Sequence, residues 1–187
     1  MPPKVKVTKE AIVNAAVQIV RSQGAQALNA RTVAAALDCS TQPVFSNFET
    51  MEQLWLTVLQ EADAMCGAYI SREMEQGKYP PYKASGMAYI RFAKEEKELF
   101  KALYMRQRRE DTSYEALSFG MPVEQMVRKN TGLPEEQIKL FHMEMWAYVH
   151  GIATMFATGY LDLPWELVSQ MMTDMYQGLR KRFGMEA

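Results

Sequence analysis

Residues 40–48 interleave hydrogen-bonding side chains with apolar ones. Val44 and Phe48 are spaced i, i+4, so a helix in this segment can bury both. Its outer face then carries Thr41, Gln42, Phe45 and Ser46. Glutamine can read adenine edges in the DNA major groove, and serine or threonine can contact phosphates or bases. The residues alone leave two interpretations open, a DNA recognition helix and a capped surface helix of an ordinary bundle.

Two predicted helices precede this segment and would position it. Thr8 is a predicted N-cap, and the residues after it recur on one helical face as Ile12, Ala15, Ala16, Ile19 and Val20. Gly24 is placed to end that helix. Asn29 is a predicted cap for a short alanine-rich helix that reaches Leu37. This order is the outline of a helix-turn-helix.

The third helix is predicted to begin at Thr41, with the Ser40 hydroxyl as its cap and Pro43 in its first turn. Residues 1–47 hold five basic and two acidic side chains, whereas the whole chain of 187 residues has a net charge of −1. A basic end on an acidic body suggests an anionic partner for the front of the chain.

The front of the chain resembles the N-terminal domain of TetR-type transcriptional regulators. One ungapped register carries the resemblance through Lys9–Ala16, Gly24, Thr32–Phe48 and Glu52–Leu54. In the later helices, the resemblance rests on their layout and on Trp146–Gly151, which is similar to the Trp-x-x-x-His-Gly of many C-terminal domains.

The resemblance implies a role for each matching position. Lys9 starts the first helix beside a DNA phosphate, Arg31 faces the DNA, and Gln42 helps to lead the recognition helix into the major groove. The family touches the DNA backbone at the positions of Phe45 and Asn47. With the outward Ser46, the predicted DNA-binding residues are Thr8, Lys9, Asn29, Arg31, Ser40, Thr41, Gln42, Pro43, Phe45, Ser46 and Asn47.

Three positions depart from the family pattern. Phe45 stands where the family usually has tyrosine, and Met51 stands where it usually has lysine. Each change removes a phosphate contact, so we expect DNA binding of modest affinity. Asp38 replaces the usual glycine of the turn, which aspartate tolerates at some strain.

Helical patterns also predict the rest of the chain, and no period-two run indicates a strand. The predicted helices are 50–76, 82–94, 97–105, 121–130, 133–159 and 164–182. The expected fold is all-α. A helix-turn-helix domain over residues 1–50 precedes a larger ligand-binding and dimerisation domain over residues 51–187.

The second part of the chain is rich in methionine and aromatic residues, with thirteen of the fifteen methionines at or beyond Met65. Such side chains fill ordinary helical cores, and they also suit an adaptable apolar cavity. Together with the resemblance, they predict a cavity for a hydrophobic or aromatic effector. Its predicted lining is Met65, Tyr69, Met87, Ile90, Phe100, Tyr104, Met126, His142, Met145 and Trp146.

Metal and catalytic chemistry find no support in the sequence. His142 and His150 lie eight residues apart, about 12 Å along one helix, with Trp146 where a bridging ligand would be needed. We find no Ser/His/Asp order, phosphate-binding glycine loop or His-Glu-x-x-His motif. We therefore expect neither a metal, a cofactor nor an enzyme.

Cys39 and Cys66 do not form a disulfide framework, and no apolar run approaches the roughly 18–20 residues of a membrane span. We therefore expect a cytoplasmic protein without a membrane partner. The last two long helices carry apolar stripes, which suit an internal hairpin or, as the resemblance implies, a homodimer interface.

The expected function is a dimeric regulator of transcription that binds double-stranded operator DNA. We expect a repressor that a small effector releases from its operator. The alternative is a helical module that binds small molecules or proteins and has weak affinity for DNA.

Overall fold

The computed structural model describes residues 7–106 and 120–185, and within them it contains helices and no strand. The α-helices are α1 (Lys9–Gln23), α2 (Ala30–Ala36), α3 (Gln42–Asn47), α4 (Met51–Glu75), α5 (Pro81–Glu95), α6 (Lys97–Tyr104), α7 (Gly120–Thr131), α8 (Glu135–Thr158) and α9 (Trp165–Arg182). A short 3₁₀ turn, Ala25–Ala27, joins α1 to α2. The all-α prediction is confirmed, and among the described helices none is both long and apolar enough to cross a membrane.

The described residues form two compact units. The first extends to Met65 and also includes Glu96–Arg106, and the second comprises Cys66–Glu95 and the described residues from 120 onward. Helix α4 therefore contributes residues to both units. The predicted division after residue 50 concerns functional domains and stays a prediction.

Helix α1 begins and ends where its sequence indicates. The Thr8 side chain accepts a hydrogen bond from the Ala11 N–H at 3.1 Å. Gly24 ends the helix with φ at +84°, a region that residues with a Cβ rarely adopt. Ile12 and Ala16 are fully buried, and they anchor α1 in the first unit.

Helix α2 begins with a reciprocal cap. The Asn29 side-chain oxygen accepts from the N–H groups of Arg31 and Thr32, each at 3.0 Å, while the Thr32 hydroxyl oxygen accepts from the Asn29 N–H at 3.1 Å. These bonds satisfy donors at the helix start that have no intrahelical partner. The cap therefore fixes the start of the helix that precedes the turn.

Replacing Asn29 with alanine removes two acceptor contacts from this cap. We expect the free energy of unfolding to fall by about 1 kcal/mol, as for other N-cap losses. Urea unfolding of the N29A variant measures this change. The matched control is N14A in the exposed middle of α1, where we expect a change within about 0.5 kcal/mol. Equal effects of the two substitutions would contradict the capping role.

Helix α3 buries Val44 and Phe48 as predicted, at 0% and 3% exposure. The prediction that Ser40 caps this helix is wrong, because α3 begins at Gln42 and Thr41 occupies the N-cap position without a side-chain bond. The Thr41 backbone already has helical angles, so the turn leads directly into the helix. Asp38 in that turn has φ at +48°, the strained position where the family usually has glycine.

In the second unit, α5 packs against α7, α8 and α9. Helix α8 begins after Pro134 and ends at Gly159, whose φ of +70° is left-handed. Phe141 is fully buried and contacts the rings of Tyr176 and Phe183 edge-on, each with centroids 5.6 Å apart. These contacts fix α8 against α9 beside the cavity described below.

Candidate functional site

The outer face of α3 presents Gln42, Phe45 and Ser46 to solvent, and the Phe45 ring is 52% exposed. The Ser46 hydroxyl donates to the Gln42 carbonyl at 2.9 Å, and the Asn47 amide donates to the Pro43 carbonyl at 2.8 Å. These bonds hold the Ser46 and Asn47 side chains against their own helix. The Gln42 side chain, in contrast, projects at the exposed start of α3.

The remaining predicted DNA-binding residues lie in the same compact unit, where both α1 and α2 pack against α3. The Lys9 Nζ lies 5.0 Å from the centre of the Phe48 ring, which places a cation beside the end of α3. Exposed residues of this set are Thr8, Lys9, Asn29, Arg31 and Ser40, while Thr41 and Pro43 are partly exposed. The Asn29 side-chain oxygen already accepts the two hydrogen bonds that cap α2, so the structure shows a structural role for this residue.

A partly open cavity lies within the second unit. It is lined by Ile70 of α4, by four residues of α5, by four of α8 and by Met172 of α9. The α5 residues are Tyr82, Ser85, Gly86 and Tyr89, and the α8 residues are His142, Met145, Trp146 and Val149. Apolar walls with a few hydrogen-bonding groups are typical of small-molecule sites.

Two tyrosine–histidine pairs connect α5 to α8 at the cavity. The Tyr82 hydroxyl lies 3.1 Å from Nδ1 of His142, and the Tyr89 hydroxyl lies 2.9 Å from Nδ1 of His150. The tyrosines are seven residues apart on α5 and the histidines eight residues apart on α8, which is about two helical turns in each case. Both pairs can therefore form between the same two helix faces. Trp146 lies between the histidines in sequence and stacks on His150 with ring centroids 4.9 Å apart.

Burial disfavours the charged forms of Tyr82, Tyr89 and His150. It raises the pKa of the Tyr82 hydroxyl, to which Tyr176 also contributes, and it raises the pKa of the Tyr89 hydroxyl well above the usual range. Burial also lowers the pKa of His150 from its ordinary value. At neutral pH the cavity therefore presents neutral phenols beside a neutral His150 imidazole.

Gly86 leaves room for Met172 in the wall of the cavity. A Cβ at position 86 would collide with the terminal methyl group of Met172. Met172 is 2% exposed and has several rotatable bonds, so it can adjust its shape to a neighbouring molecule. This pair makes one wall of the cavity adaptable.

Three predicted ligand-binding residues line the cavity, namely His142, Met145 and Trp146. The others lie outside its lining. Met87 and Ile90 are buried on α5, Tyr69 packs on Phe92 and donates to Glu95, and Met126 is partly exposed on α7. Met65, Phe100 and Tyr104 belong to the first unit, where Phe100 and Tyr104 pack together with centroids 5.1 Å apart.

Sequence reasoning missed Tyr82 and Tyr89 as lining residues. The signal that could have found them is their spacing of seven residues, which nearly matches the spacing of the two histidines. In the part of the chain that the structure describes, no three acidic, histidine or cysteine side chains are placed to hold a metal ion.

Comparisons with known proteins agree with this architecture. Residues 82–176 match the family described as tetracyclin repressor-like, C-terminal domain. The fold is similar to the structure of a member of the TetR family from Streptomyces coelicolor A3, with a TM-score of 0.67 and 18% identity over 89% of this chain and 96% of that chain. No curated protein matches the sequence significantly.

Proposed function

Because the chain belongs to the tetracyclin repressor-like family, we propose that it is a ligand-responsive, DNA-binding regulator of transcription. The observation that carries this proposal is the α3 helix, which is anchored by buried Val44 and Phe48 and exposes Gln42 and Phe45. An anchored helix with an exposed hydrogen-bonding face suits the major groove. Lys9 and Arg31 supply exposed cations for flanking phosphates.

The cavity of the second unit supports a response to a small molecule. Its lining is mostly apolar and aromatic, which suits a hydrophobic or aromatic effector. An effector that lowers the affinity for the operator must itself bind less tightly to the DNA-bound protein, because binding free energies are coupled reciprocally. We propose that the protein is a repressor and that this coupling releases it from its operator.

We propose further that the protein is a homodimer through α8 and α9. Leu140 and Leu167 are more than two-fifths exposed on these helices, and Met143, Met155, Met171 and Met175 are partly exposed. A dimer would pair two recognition helices on half-sites about 34–36 Å apart. A monomer in light scattering at micromolar concentration would contradict this part of the proposal.

The experiment that tests the function is fluorescence anisotropy on duplexes that tile the intergenic DNA beside the protein's own gene. Titrations at two salt concentrations, with a random duplex as control, separate specific from general electrostatic binding. We expect one fragment to bind at least about a thousandfold more tightly than the random duplex. Weak and equal binding of every fragment would contradict a regulator that acts beside its own gene.

The second candidate function is a small-molecule or protein-binding module with weak DNA affinity. Phe45 and Met51 favour it, because a phenyl ring and a thioether replace groups with which the family contacts phosphates. Salt-independent, negligible duplex binding by a protein that still binds a ligand in its cavity would favour this alternative.

Restoring those two contacts is expected to tighten DNA binding. F45Y adds a hydroxyl to an exposed ring on α3, and M51K adds a cation to a partly exposed position at the start of α4. M51K should steepen the salt dependence by about one unit of slope. Anisotropy with the single and double variants measures both effects. Unchanged affinity of the double variant would contradict the explanation for modest binding.

A further inference from the structure

Resting on the proposed function, we propose that the cavity selects an uncharged aromatic effector that bears a hydroxyl or carbonyl group, and that it rejects ionised analogues. The cavity and the charged side chains around it lie within the second unit.

The lining contains no carboxylate, ammonium or guanidinium group. A charged ligand would lose its hydration on entry and would meet no carboxylate, ammonium or guanidinium counter-charge in the wall. Such an uncompensated loss costs far more than the burial of an uncharged molecule of the same shape. The lining therefore favours uncharged ligands over charged ligands of the same shape.

The basic residues of α5 are directed to other partners. Lys83 donates to the Thr173 hydroxyl at 2.7 Å, and Arg91 contacts the buried Glu73 at 3.3 Å. The Arg91 guanidinium also lies 4.7 Å from the centre of the Trp165 ring. Lys94 lies over the Phe156 ring at 5.1 Å. These contacts hold the cations of α5 away from a role as counter-ions in the cavity.

Three acidic residues of the helices around the cavity already accept hydrogen bonds, and none of them lines the cavity. On α8, Glu144 accepts from Arg182, and on α9, Asp174 accepts from the Gln170 amide at 2.7 Å. On α5, Glu95 accepts from the Tyr69 hydroxyl at 2.8 Å. A cationic ligand therefore finds no carboxylate in the wall of the cavity.

The two tyrosine–histidine pairs provide the polar selection. In each pair, the imidazole can accept the hydroxyl proton or donate to the hydroxyl oxygen, depending on its tautomer. Tyr82 and Tyr89 can thus present either a donor or an acceptor to a bound molecule. A ligand hydroxyl or carbonyl group can be matched, while the rings of Tyr82, Tyr89 and Trp146 favour an aromatic body.

The test compares three probes of one shape at neutral pH by isothermal titration calorimetry on the full chain. The probes are 2-naphthol, 2-naphthoate and 2-naphthylmethylammonium, which are neutral, anionic and cationic. We expect 2-naphthol to bind at least about tenfold more tightly than either ion, since desolvation of the ion goes uncompensated. Equal or tighter binding of either ion overturns the inference, and so does the absence of binding by all three.

Variants identify the hydroxyl groups that the probe contacts. We expect Y82F or Y89F to weaken 2-naphthol binding by about three- to tenfold, the usual effect of one hydrogen bond. Y69F is the matched control, because Tyr69 donates to Glu95 and lies outside the cavity lining. Equal effects of all three substitutions overturn the assignment of the cavity as the binding site. DNA titrations on the same preparations judge the proposed function separately.

Discussion

Replacing Arg21 with methionine is expected to lower the free energy of unfolding by about 2 kcal/mol, between the values for exposed and for fully buried ion pairs. Arg21 lies in the last turn of α1 and contacts Glu96, which occupies the N-cap position of α6. The Arg21 side chain is 44% exposed, but the Glu96 side chain is only 3% exposed. Urea unfolding at neutral pH measures the change.

The asymmetry of exposure is the reason for the large effect. One oxygen of the Glu96 carboxylate accepts from Arg21, and the other has no hydrogen-bond partner among the described residues. Without the guanidinium, the buried carboxylate keeps its desolvation cost and loses its counter-charge. Methionine retains most of the apolar stem of arginine, so the measured loss reflects the charge more than lost packing.

Two further variants distinguish this explanation from a general effect of losing an arginine. E96Q in the R21M background should recover much of the lost stability, because an uncharged amide is less costly to bury than an unpaired carboxylate. R72M replaces an exposed arginine on α4 and should change the stability by less than about 0.5 kcal/mol. If R21M and R72M had equal effects, the Arg21–Glu96 pair would not hold α1 to α6.

The helices of this protein are predictable because their signals are local. Thr8, Asn29 and Gly24 act within one or two turns of their own positions, and the structure confirms their capping roles. The prediction that Ser40 caps α3 was wrong for a physical reason. Whether a hydroxyl caps a helix depends on the backbone angles of the turn, and Thr41 is already helical in this one.

The cavity was less predictable than the helices. Periodicity identifies the buried face of a helix, but it does not tell which part of that face is packed and which part borders empty space. Met87 and Ile90 are buried in packed surroundings on α5, while Tyr89 between them borders the cavity. Gly86 and Met172 lie 86 residues apart in sequence, and their contact follows from the packing of α5 on α9.

The Q42A variant is expected to bind the operator fragment about ten- to a hundredfold more weakly than the wild type, with little change on random duplex. Gln42 is exposed at the first position of α3, where its amide can pair with an adenine edge. The Ser46 hydroxyl donates to the backbone carbonyl of residue 42, which alanine also has, so the helix retains that bond. Anisotropy on the fragment that the tiling experiment selects measures the loss.

R31A provides the matched comparison, because Arg31 is also exposed but is assigned to a phosphate rather than a base. Its loss should weaken binding to all duplexes alike and reduce the salt slope by about one. Equal weakening of operator and random DNA by Q42A would assign Gln42 to the backbone instead. An unchanged salt slope in R31A would remove Arg31 from the interface. A loss confined to the operator in Q42A, together with an equal loss on all duplexes in R31A, would establish that α3 reads bases while the start of α2 contacts the DNA backbone.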